Sequence, residues 1–100
     1  MGKPMKSIPR NAETEALAAR LIWFEPAEKA LADPVRLAAY AFARATHADM
    51  KILRAHLDDD DLREALERAP PGIVDPRSWA YWNLRLGRHP VPPMPVRRLD

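Results

Sequence analysis

Four consecutive aspartates, Asp58 to Asp61, are the densest group of ligating side chains in the chain. Carboxylate oxygens are what a hard cation such as magnesium takes. Four sequence neighbours point in different directions, however, and no further acid stands at a supporting loop spacing. The same run read as a helix N-terminus needs no metal, because carboxylates there accept from free backbone amides and suit the positive end of the helix dipole. The three histidines, His47, His56 and His89, are dispersed. His47 and His56 lie about two and a half helical turns apart and so face roughly opposite sides of one helix. Ser7 and Ser78 are the only serines, and no Cys is present. That excludes a disulfide framework, a thiolate zinc site and a cysteine nucleophile. No nucleophile–base pair emerges, and the chain reads as non-enzymatic, with no metal and no cofactor.

The more informative residues are aromatic and basic. Trp79, Tyr81 and Trp82 crowd into Ser78-Trp79-Ala80-Tyr81-Trp82-Asn83, on one expected helix. Trp79 and Trp82 share a face and, with Leu86, read as core anchors. Tyr81 is offset from them, beside Arg85 and Arg88. Tyr, Trp and Arg are the residue types that carry binding energy at protein interfaces. A proline-rich end follows, with Pro92, Pro95 and Arg97 in a PxxPxR pattern and Arg98 next to it. Such segments dock with little loss of chain entropy. The pattern is short, and packing of this arm on its own domain or on a partner accounts for it better. The candidate partner-binding set is therefore Trp79, Tyr81, Trp82, Arg85, Arg88, Pro92, Pro95, Arg97 and Arg98. A second reading is a helix-turn-helix, with residues 46–57 as recognition helix. It would offer Lys51, Arg54 and His47 to DNA, a thin readable face with no glycine in the turn.

Helices must position these residues. Asn11 caps a first helix expected over residues 12–24, with the stripe Leu17, Leu21, Phe24 and a stop at Pro26. Asp33-Pro34 starts the next, to about Ala45, by capping amides and presetting φ. Its buried face is expected to be Val35, Ala38, Ala41, Phe42 and Ala45, with Leu37 and Tyr40 on a flank. Thr46 with Asp49 resembles a capping box and opens a third, with the stripe Met50, Leu53, Leu57. The aspartate run caps a fourth, with Leu62, Ala65 and Leu66 inward, ended by Pro70-Pro71-Gly72. Asp75-Pro76 opens a fifth, with Gly87 as its left-handed cap.

Composition agrees. The 100 residues are 47% hydrophobic, and Ala and Leu dominate over β-branched types. This favours an all-α single compact domain of about five short helices. Residues 1–10 read as a flexible arm, 11–88 as the helical domain and 89–100 as an extended polyproline arm. Net charge is +2. It is +3 over residues 1–57, −4 over 58–68 and +3 over 69–100. A balance this close carries no strong polyanion-binding field. No apolar run approaches a membrane span and no signal segment is visible, so the expectation is a cytoplasmic protein.

The strings Leu21-Ile22-Trp23-Phe24, Asp33-Pro34-Val35-Arg36, Pro70-Pro71-Gly72 and Asp75-Pro76-Arg77-Ser78-Trp79-Ala80-Tyr81-Trp82, with the proline-rich end, resemble a group of short bacterial proteins of unknown function. Many of these are encoded beside a nucleotidyltransferase-like toxin of the abortive-infection AbiEii type. The resemblance spans residues 17–98 and brings no catalytic residue. It implies an antitoxin-like protein that binds a toxin encoded nearby. A homo-oligomer, or a DNA-binding regulator, is the alternative.

Overall fold

The computed structural model describes residues 6–94. Six helices and no strands form the described part of the chain. They are α1 (Ala12–Leu21), α2 (Ala27–Leu31), α3 (Pro34–Arg44), α4 (His47–Arg54), α5 (Asp59–Arg68) and α6 (Pro76–Arg85).

Each expected start is where the capping chemistry puts it. The Asn11, Asp33, Thr46, Asp58 and Asp75 side chains each accept from the backbone amide three residues on. At Asn11, Thr46 and Asp58 the third residue reaches back to the cap amide as well. These reciprocal pairs satisfy two otherwise free donors at once. Gly87 closes α6 at φ +83°. Its amide donates to Leu84 O (3.1 Å), and the Arg88 amide donates to Asn83 O (2.9 Å). That is the Schellman pattern, and the left-handed backbone it requires suits a residue without Cβ.

α3 is the centre. It packs against all five other helices. Its buried side chains are Leu37, Ala38, Ala39, Ala41 and Phe42. Three alanines let neighbouring helices approach closely on more than one side. Leu37 is fully buried and Val35 only partly, the reverse of the expected flank and face. A helix surrounded by partners has no single outward side, so a one-stripe reading misplaces such residues.

Further expectations are corrected. α1 ends at Leu21, because Ile22 leaves the helix at φ −129° and ψ 68°. Phe24 is 50% exposed and belongs to no core stripe. It meets Trp23 and Tyr40 edge-on instead. The early turn frees Ala27–Leu31 to form α2 and fold back on α1 and α3. The N-terminal arm is held from residue 6 onward: Ile8 lies in the core, and the Thr14 hydroxyl donates to Pro9 O. The C-terminal arm is held through Met94. Trp79 Nε1 donates to Pro92 O at 2.8 Å, and Val91 and Met94 pack on the core. The expectations for residues 1–5 and 95–100 lie outside the described residues.

Candidate basic-aromatic groove

The groove arises because α4 and α6 both pack on α3 without closing on each other. Between them is a hollow of about 810 Å³. Its floor includes Phe42 from the last turn of α3, Ala45 just after it, Met50 from α4 and Trp82 from α6. Trp82 is fixed there by two contacts. Its ring lies 5.4 Å from Phe42, and its Nε1 donates to Phe42 O at 3.2 Å. The indole therefore joins α6 to the last turn of α3.

The walls are basic. From α4 come His47, Lys51 and Arg54. Their spacing of four and three residues places them on one helix face, over about 10 Å. From α6 come Arg77, Tyr81 and Arg85, at spacings of four and four, over about 12 Å. All six are exposed. No acid lines the groove. Lys51, Arg77 and Arg85 make no ion pair among the described residues. Arg54 turns to Asp59 at 2.6 Å. Tyr81 stands edge-on to Trp82 and carries the Arg85 guanidinium 6.0 Å over its ring. Leu84, on the same helix, is 46% exposed. Uncompensated cations with an exposed aromatic and an apolar floor are chemistry for holding an anionic, partly apolar ligand.

Tyr81, Trp82 and Arg85 of the expected partner-binding set meet in this groove. Trp79 does not: it is 6% exposed and serves the core and the arm. Arg88 points away, to Glu67 at 2.7 Å. Pro92 offers its carbonyl to Trp79. Pro95, Arg97 and Arg98 lie outside the described residues. Arg77 is not in that set, and His47, Lys51 and Arg54 enter from the sequence only as the face of a DNA-reading helix. Their basic periodicity was visible, but nothing in the sequence placed the α4 and α6 faces opposite each other.

The aspartate run is occupied. Asp58 and Asp61 cap α5 reciprocally, and both meet the Lys6 ammonium. Asp59 pairs with Arg54 and Asp60 with Arg63. The Lys6 hydrogen bond and the Asp61 amide hold the Asp58 carboxyl well below the ordinary range. Among the described residues no cluster of His, Asp and Glu has the makings of a metal site. Comparison with protein families, with curated proteins and with solved structures finds no match to this chain.

Proposed function

We propose that the chain is a non-enzymatic interaction protein, the antitoxin-like partner of a nucleotidyltransferase-type toxin. The observation that carries this reading is the α4/α6 groove, whose cations Lys51, Arg77 and Arg85 make no ion pair among the described residues. A domain that leaves such charges around an exposed Tyr and an apolar floor presents an interface rather than an ordinary solvated face. The mechanism is occlusion. The groove and the outer α6 face, with Tyr81, Leu84 and Arg85, cover the toxin's nucleotide or acceptor site. The proline-rich arm has a different part: through residue 94 it braces α6 from behind. The setting is the bacterial cytoplasm. No helix among the described residues is long and apolar enough to cross a membrane.

A DNA-binding regulator is the competing reading, and exposed His47, Lys51 and Arg54 on α4 favour it. The acidic start of α5 opposes it. Arg54 borders both the groove and the hollow that contains Asp58, Asp59 and Asp60. A duplex laid along α4 would run into those carboxylates.

Co-expression with a nucleotidyltransferase toxin of the AbiEii type tests the proposal. The two proteins should co-elute, and toxin-dependent growth arrest should be relieved. Tyr81→Ala should weaken both effects while the helical spectrum is retained. Separate elution with persisting arrest sinks the reading. A salt-sensitive shift of operator DNA by the pure protein would support the regulator instead.

A further inference from the structure

The groove has a two-part anatomy: an apolar floor and a cationic wall on each side. The floor has no place for phosphates, which need donors along their whole path. Tyr81, the exposed ring, has Trp82 at one side and Arg85 over it, so it is a poor stacking platform for a base. The chain's net charge of +2 and the acidic start of α5 beside Arg54 further disfavour a long polyanion. An occupant with apolar groups in a stripe and carboxylates on both flanks complements the apolar floor and both basic walls.

The length of the walls selects the conformation. About 10–12 Å corresponds to seven or eight residues of helix but only three or four of extended chain. An extended strand pressed on Phe42, Met50 and Trp82 would also leave backbone amides and carbonyls without partners. A helix satisfies its own.

These 100 residues do not themselves supply this occupant. In α5 the acids flank Leu62 and Leu66, and both leucines are buried in the domain's own core. Residues 1–5 contain Lys3 and no acid, and residues 95–100 contain Arg97 and Arg98 against Asp100. Neither end complements a basic groove.

We infer that the groove between α4 and α6 is the seat of an acidic amphipathic helix, about two turns long, supplied by a partner protein. Its apolar stripe rests on Phe42, Met50 and Trp82. Its carboxylates face Lys51 on one wall and Arg77 and Arg85 on the other. This rests on the reading of the chain as an interaction protein and adds the chemistry of what it holds.

The probe is a stapled helical peptide of about twelve residues, with a Leu stripe at helical spacing and Glu on both flanks. The controls are a peptide of the same composition with the stripe scrambled, and a single-stranded thymidine oligonucleotide of similar length. Binding to the full chain is read by fluorescence anisotropy, and the surface is located by amide chemical shifts. The striped peptide should bind at least about tenfold tighter than either control, and more weakly as salt rises. It should shift the amides of Lys51, Tyr81 and Arg85. The double variant Lys51→Glu, Arg85→Glu should lose at least about tenfold in affinity. Both side chains are exposed and make no ion pair among the described residues, so the helical spectrum should survive; should the double variant unfold, Arg77→Glu gives the same reading alone.

A scrambled peptide that binds as well, an oligonucleotide that binds better, a smaller loss in the variant, or shifts on another face overturns the inference. The two proposals fail separately. Peptide binding without toxin co-elution removes the toxin and leaves the groove. Toxin co-elution that survives Lys51→Glu, Arg85→Glu, with no peptide binding, removes the groove and leaves the toxin.

Discussion

Asn83 is the residue that most departs from ordinary packing. It is fully buried, and its Nδ2 donates to Trp79 O at 2.8 Å. Its Oδ1 is the one buried side-chain polar atom among the described residues without a partner. An unsatisfied buried acceptor costs about 1–3 kcal/mol, whereas an apolar side chain of similar shape carries no such penalty. Asn83→Leu is therefore expected to melt at or above the parent temperature, and calorimetry of the pair checks this. A clear drop in melting temperature would mean that Oδ1 has a polar partner in solution. Asp49 is the opposite case, a nearly buried carboxylate that is fully used. Burial by itself would raise its pKa. Arg20, at 2.7 Å, and the Thr46 amide and hydroxyl outweigh that and leave it lowered.

At the scale of elements, the caps carry the boundaries. Asp33→Ala and Asp75→Ala should each cost about 0.5–2 kcal/mol, the usual value of a lost N-cap. Denaturant titration with an unchanged slope would register it; variants as stable as the parent would remove these caps from the account. The arm after α6 is likewise an element of the fold through Met94. Truncation after Arg88 removes the Trp79–Pro92 hydrogen bond and the contacts of Val91 and Met94. We expect a loss of about 2 kcal/mol, from one hydrogen bond and two partly buried apolar side chains, with the helices retained. A truncated protein that melts like the parent would show that the arm is dispensable to the domain.

The whole molecule responds to acid through its carboxylates. Asp58 is held low by Lys6 and the Asp61 amide, and Asp75 by the Ser78 hydroxyl and amide. Asp49 is lowered by Arg20 and Thr46 against its burial. A carboxyl whose folded pKa lies below its unfolded one stabilises the fold fully above the unfolded value. That contribution is lost as pH falls through the folded value. The melting temperature should therefore be flat near neutrality and fall once the pH drops below about 4. Lys6→Met should make that acid slope shallower, because it removes the cation shared by Asp58 and Asp61. An unchanged slope would place the acid sensitivity elsewhere.

The all-α character and the starts of the capped helices are legible from local chemistry alone. A cap acts within three residues, and Asn11, Asp33, Thr46, Asp58 and Asp75 sit beside the amides they satisfy. The sequence also held the pieces of the groove, since Tyr81, Trp82 and Arg85 were legible as interface types and His47, Lys51 and Arg54 as one basic face. The remainder depends on contacts between distant segments. α2 has five residues after Pro26 and no apolar period of its own, so it exists by packing on α1 and α3. Ile8, Val91 and Met94 join the core because the surface they lie on is assembled from distant helices. Trp79 and Arg88 leave the interface for the same reason: one faces the arm and the other faces Glu67. That α4 and α6 face each other across a gap follows from how both sit on α3. That relation between segments some thirty residues apart leaves no trace in the periodicity of either one.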